Sequence, residues 1–282
     1  MKILAGIMYC GENEFEDCIK AIKSQTYKNY DYFIIKNKPN VIAHKELYSR
    51  FIEKSHAYDI FIKIDADMVL TKNNFFSSLT KRFADEPSLE HLEISIHDFY
   101  TDSLIPGIHI FRNNIILENT EETIFVDRVI LKKNYKYDNY MLSPAAQHSP
   151  NPSDLQSFHF GIHKAIKALQ MFNKKSSATK TIRHFRNIRK LKNNFIRTKD
   201  QRLKIALIGA EMALHYCYSP DILNYNNSRL KKLFHEILQK SDASKNNLLF
   251  RLRLKNGSFL PLFFQIIFLK IKHSKNVNMG NA

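Results

Sequence analysis

Asp59-Ile60-Phe61-Ile62-Lys63-Ile64-Asp65-Ala66-Asp67-Met68-Val69-Leu70 is the stretch whose reading decides the fold. A run of Ile and Phe interrupted only by Lys63 has the character of a buried strand, and it stops at two carboxylates separated by one small residue. In an open α/β sheet, ligands collect beyond the carboxyl ends of the strands, which puts Asp65 and Asp67 at the edge of a crevice. Two hard oxygen donors there suit a divalent cation. An Asp-x-Asp after an apolar run also makes simple Asx turns, so the flanking sequence has to decide between the two readings.

Upstream, residues 2 to 9 read as a first strand and Glu14 to Thr26 as an amphipathic helix, with Phe15, Cys18, Ile19 and Ile22 at helical spacing and Asn13 available as its cap. Tyr32 to Ile35 reads as a second strand and Val41 to Ser55 as a second helix with Leu47, Phe51 and Ile52 inward. This β-α-β-α-β alternation with short links predicts parallel strands joined by right-handed crossovers. The seven glycines form no G-x-G-x-x-G or Walker loop, so diphosphate binding here requires a metal in place of a glycine-rich cradle.

Downstream, Asn73 to Phe83 reads as a helix, and Glu93 to Ile96 and Ile108 to Arg112 as strands. Ile124 to Ile130 is strand-like and carries Asp127, which either faces water on an edge or serves chemistry. Ser143 to Asp154 holds three prolines, which predicts a loop without regular structure that fixes His148 near the end of the catalytic domain. Ser153 or Asp154 is placed to cap the following helix.

The chain has 282 residues and a formal charge of +16, and the excess is concentrated late. Between Lys164 and Lys204 the only acid is Asp200. Helical patterns continue there, with Ile182, Phe185, Ile188 and Leu191 inward, then Leu203 to Tyr218, Asn227 to Lys240 and Phe259 to Ile271. The last run is too short to span a bilayer; it reads either as a core-packed helix or as one lying in an anionic membrane interface. Three cysteines, Cys10, Cys18 and Cys217, make neither a disulfide framework nor a zinc motif, and the amino terminus lacks a secretory pattern, which points to the cytoplasm. The expected division is a catalytic domain over 1–163 and a basic, mainly helical region over 164–282.

The phrase Glu14-Phe15-Glu16-Asp17-Cys18-Ile19-Lys20-Ala21-Ile22-Lys23-Ser24-Gln25-Thr26-Tyr27-Lys28-Asn29-Tyr30, followed by Asp65-Ala66-Asp67 at a later strand end, resembles the A-type glycosyltransferases of the family 2 kind. The resemblance covers the first quarter of the chain and continues weakly to His163. It implies a Rossmann-like nucleotide-sugar-binding domain with a mixed sheet, a nucleotide-sugar donor, UDP-linked in the first instance, and Mn²⁺ or Mg²⁺. By the same resemblance Tyr9 lies beside the base and Asp65 contacts the ribose or the metal. Asp67 is the direct metal ligand, and His148 completes the metal shell.

Lys36-Asn37-Lys38-Pro39 stands where the family has Asp-Asp-Gly-Ser, leaving Asn37 to meet the base. Ala43-His44-Lys45 replaces Ala-Arg-Asn, offering His44 or Lys45 to the diphosphate. Inversion at the sugar needs a carboxylate to take the acceptor proton, a role open to Asp127 or Asp98. The expected acceptor is a surface glycan, lipopolysaccharide or lipid-linked glycan, with the enzyme peripheral on the inner face of the membrane. An inactive scaffold on the same fold and a basic nucleic-acid-binding protein are the alternatives. Few aromatics interleave the basic run, which disfavours the second.

Overall fold

The structure, a computed structural model, describes residues 1–114, 135–138, 143–169, 178–215 and 220–240. It divides into two compact units, the first holding the described residues up to Pro152 and the second those from Ser153 onward. The division therefore comes earlier than the boundary expected after His163.

The first unit begins β1 (Ile3–Tyr9), α1 (Phe15–Lys23), β2 (Tyr30–Lys36), α2 (Asn40–Glu53) and β3 (Ile60–Asp65). It continues with β4 (Met68–Leu70), α3 (Phe75–Asp85), β5 (His91–Asp98), β6 (Ser103–Arg112), β7 (Tyr135–Asp138) and β8 (Ala146–His148). All eight strands form one sheet, in the order β2-β1-β3-β6-β5-β8-β4, with β7 pairing β5 off that path. The protein is thus α/β with a mixed sheet. β1 runs parallel to both β2 and β3, as the alternation predicts. β6 enters antiparallel between β3 and β5 and interrupts the parallel run, and beyond it β5 runs parallel to β7 and β8.

Strand periodicity of two sorts the core into two faces. Ile3, Ala5, Ile7, Ile60, Ile62 and Ile64 pack with Ile22 of α1 and with Phe76 and Leu79 of α3. Leu4, Met8 and Phe61 point to the other side and meet Ala43, Leu47 and Phe51 of α2. The inward stripe of α2 thus advances by four residues at a time, which leaves Ile52, expected inward, on the open side at 51 % exposure. Phe51 and Phe61 stack with ring centroids 4.7 Å apart. Gly6 lets α2 approach the sheet, because a Cβ at that position would lie 2.4 Å from Leu47 Cδ1.

The Gln-Thr-Tyr phrase has a structural task. The buried Gln25 side chain donates to the Lys72 carbonyl at 2.8 Å and accepts from the Phe76 amide at 3.1 Å, capping α3 from a distant turn. Thr26 N adds a bond to the Asn73 carbonyl at 2.7 Å. The turn after α1 is thereby stitched to the segment that follows the Asp-x-Asp.

Residues 143–152, expected to lack regular structure, instead contain β8, a three-residue strand lying between Pro144 and Pro150. The prolines flank the strand, so its own amides are free to pair with β5 and β4. Asn13 does not cap α1. Its side chain donates to the Asn151 carbonyl at 2.8 Å, while Glu14 Oε1 accepts from the Asn151 amide at 3.0 Å. These two bonds strap the loop after β8 to the start of α1.

The second unit contains α4 (Asp154–Leu169), α5 (Ala178–Thr198), α6 (Gln201–His215), a 3-10 turn at Pro220–Leu223 and α7 (Ser228–Leu238). Ser153 caps α4, its hydroxyl accepting from Gln156 N at 3.2 Å in the reciprocal Ser-x-x-Gln arrangement. Asn227 caps α7 through Leu230 N at 3.1 Å. α4 and α6 cross at glycines: a Cβ on Gly161 would fall 1.8 Å from the Ala206 carbonyl oxygen, and one on Gly209 would fall 2.3 Å from that of Phe158. Both obstacles are backbone, so relief requires the helices to separate. Gly161→Ala is expected to destabilise the protein by roughly 2 kcal/mol or more despite its better helix propensity, read from urea unfolding midpoints. A stabilised variant would refute this close crossing.

Candidate functional site

Because β1, β2 and β3 are parallel, their carboxyl ends come out side by side, with Tyr9 opposite Lys36 and Met8 opposite Asp65. The turn Asp65-Ala66-Asp67 is held against β1 by the bond from Ala66 N to the Met8 carbonyl at 2.9 Å. β4 then runs antiparallel to β8, placing Met68 opposite His148. Ser149, in the left-handed region at φ 49°, donates its amide to the Asp67 carbonyl at 2.7 Å and its hydroxyl to Asp67 Oδ2 at 3.2 Å.

His148 sits between two carboxylates. Its Nε2 lies 3.2 Å from Asp67 Oδ2, and its Nδ1 lies 2.6 Å from Asp98 Oδ1. Asp98, at the end of β5 and opposite His148 in register, is wholly buried; its second oxygen accepts from Thr101 N at 2.9 Å and Thr101 Oγ1 at 2.5 Å. Burial lowers the affinity of the imidazole for a proton, but Asp67 and Asp98 outweigh it and push His148 up to about 10. Burial likewise raises Asp67, and the paired His148 with the Ser149 hydroxyl brings it below the usual carboxylate value.

One atom is left over. Asp67 Oδ1 is buried and has no hydrogen-bond partner among the described residues. A buried polar atom without a partner costs about 1–3 kcal/mol, so its retention calls for a partner the chain itself does not supply. The donor chemistry suits a divalent cation: a carboxylate oxygen, and beside it an imidazole whose other nitrogen is held by a carboxylate, the usual support for a ligating histidine. Among the described residues no three His, Cys, Asp or Glu side chains make a metal-holding group, so Asp67 and His148 would be two protein donors with the rest coming from substrate or water.

Asp65 is placed differently. Lys63 Nζ lies 3.0 and 3.3 Å from its two oxygens, and the Lys63 side chain is only 3 % exposed against 35 % for Asp65. The lysine that interrupts the apolar strand therefore neutralises the first carboxylate of the Asp-x-Asp from beneath.

Tyr9 stacks on Phe15 with centroids 4.1 Å apart, and Asn37, at φ 56°, donates its amide to the Tyr9 carbonyl at 2.8 Å. These two expected base-contacting residues are thus adjacent where β1 and β2 end. His44 departs from expectation: it is buried, with Nδ1 2.9 Å from the Asn40 carbonyl one helical turn back, and so does not stand in the open to meet a diphosphate. Lys45 is exposed on α2. Asp98 is enclosed and bound at both oxygens, so it is not open to an acceptor hydroxyl. Asp127 lies outside the described residues, as do Cys217 and the apolar run from Phe259.

Glu12 belongs to the site and escaped the sequence reading. Its Oε2 accepts from Cys10 N at 2.6 Å, and burial followed by the charges of Asp67 and Asp65 pushes its carboxyl up to about 7. Its sequence signal is the preceding Gly11, at φ 112°, a turn made at the end of a strand. The neighbouring Cys10 thiol is pushed up to about 11 by burial and by Glu12, which makes it no nucleophile at neutral pH.

No protein-family model matches the chain, nor does any curated protein. Among solved structures it is similar to the crystal structure of A197 from STIV, at 13 % identity and a TM-score of 0.35, over 49 % of this chain and 82 % of that one.

The raised His148 value carries a pH signature. Its contribution to stability is present in full below its ordinary value of 6.5 and is lost as pH rises through about 10. Between these limits the metal-free wild type is expected to lose stability as pH rises, and His148→Gln to lose less. Urea midpoints across that range test this, and parallel curves for the two proteins would refute it.

Proposed function

We propose that the protein is a metal-dependent glycosyltransferase, moving a sugar from a nucleotide-sugar donor to a hydroxyl of a glycan or lipid-linked acceptor. The observation that carries the reading is the unpartnered, buried Asp67 Oδ1 beside a histidine locked by Asp98, at the carboxyl edge of the parallel strands. The family resemblance of the Gln-Thr-Tyr phrase and the Asp-x-Asp supports it.

In this reading Tyr9 and Asn37 receive the base, and Asp65, neutralised by Lys63, accepts a hydrogen bond from the ribose. Asp67 and His148 would hold Mn²⁺ or Mg²⁺. The ion, when bound, offsets the charge that builds on the departing nucleoside diphosphate. Asp98 is a positioning residue: it fixes the ring of His148 through Nδ1, so that Nε2, which faces Asp67 Oδ2, would ligate a cation once its proton is displaced. Glu12 stands close enough in charge terms to Asp67 to sense it, and a bound cation would bring its raised carboxyl back toward ionisation. Asp127 is the proposed acceptor-side base. In an inverting reaction it takes the hydroxyl proton as the acceptor oxygen bonds the anomeric carbon and the nucleoside diphosphate leaves from the opposite face.

Calorimetric titration of UDP and GDP with Mn²⁺, and again with chelator, tests the donor site. One nucleotide is expected to bind in a metal-dependent way. Asp67→Asn should abolish that dependence, and Asp98→Asn should weaken it by roughly 10- to 100-fold. Binding of neither nucleotide under any metal condition would overturn the proposal and favour an inactive transferase-like scaffold.

A further inference from the structure

Helix α5, in the second unit, is strongly two-sided. Thr181, Phe185, Ile188, Leu191 and Asn194 are buried at successive turns. On the exposed side stand Arg183, Arg186, Lys190 and Arg197, spaced three, four and seven residues apart, with the last two-turn step crossing the uncharged Asn193 and Asn194, the latter bonded by Arg197. No acidic residue occurs anywhere in α5. At 1.5 Å per residue the line is about 21 Å long. Such a row of like charges costs the isolated helix stability, since cations three and four residues apart repel. A partner rich in anions would reverse the sign of that term.

We infer that this face of α5 docks on the anionic surface of a lipid bilayer, with the helix lying flat and its cations among the headgroup phosphates. Three features favour a membrane over a nucleic acid. The exposed line carries no aromatic side chain on which unpaired bases could stack. A straight line of this length meets a plane along its whole extent, whereas duplex phosphates curve away from it within the width of a groove, about 12 Å. Ile196, 48 % exposed, flanks Arg197 and supplies an apolar group at the charged border, where headgroups give way to acyl chains. No described helix is long and apolar enough to cross a membrane. The inference uses residues separate from the nucleotide site and does not depend on it.

Co-sedimentation of the full chain with phosphatidylcholine vesicles, with and without about one-third phosphatidylglycerol, tests the surface. Binding is expected only to the anionic vesicles, and to be largely lost as salt rises from about 0.1 M to about 0.5 M. Each cation at a bilayer surface contributes roughly fivefold, so the double variant Arg183→Gln with Arg186→Gln should bind about 25-fold more weakly. Lys231→Gln with Lys232→Gln, exposed cations on α7, removes equal charge away from the line and should change binding by less than about fivefold. Equal losses in the two double variants would overturn the assignment to α5, as would retention on neutral vesicles. Displacement of the protein from anionic vesicles by an equal phosphate concentration of duplex or single-stranded nucleic acid would overturn the choice of partner. The salt dependence of the wild type keeps the test decisive if either variant fails to fold.

Discussion

The bond from His148 Nδ1 to Asp98 Oδ1, at 2.6 Å, is the contact on which the site depends. β8 has only three residues, too few for backbone pairing alone to define its position. The imidazole of His148, between Asp98 on β5 and Asp67 just before β4, joins the three strand ends through its two carboxylate contacts as well as by ladder. Breaking one member leaves a buried charge uncompensated, which costs far more than the intact pair contributes. This is why Asp98 carries two further bonds from Thr101, and why the loop beyond β8 is strapped to α1 through Asn151.

The same arrangement explains why the two carboxylates of the Asp-x-Asp differ. Asp65 and Lys63 are two residues apart on one strand and so share a sheet face, where the buried ammonium balances the half-buried carboxylate. Asp67 lies beyond the strand, turns toward β8 and takes its cationic partner from there. One carboxylate is thus satisfied within the chain, and the other keeps an oxygen in reserve. A buried oxygen left unmatched is costly, so this atom is where a ligand outside the chain would be accepted.

The second unit solves a different problem. Its helices carry many cations, and two of them approach closely at Gly161 and Gly209 while residues such as Phe158, Phe185 and Ile188 fill its core. Backbone-to-backbone contact lets α4 and α6 pack tightly without large side chains between them. The charge is left on the exposed side of α5.

Much of this was legible in the order of residues. Alternating Ile and Phe runs with amphipathic segments determined β1, β2, β3 and the helices between them, because local periodicity records which side of an element faces the core. The Asp-x-Asp at a strand end, the cap at Ser153 and the basic late segment were readable for the same local reason. Only the tertiary structure decided that β6 enters antiparallel, since nothing local names a strand's neighbour. It made a strand of a proline-flanked loop because β5 and β4 offered partners. It turned His44 inward, enclosed Asp98 as the support of His148, and brought Glu12 under the influence of Asp67. A carboxylate's environment is set by groups far along the chain, 82 positions away between Asp67 and Ser149 and 137 between Glu14 and Asn151, and that separation is what a reading along the chain cannot span.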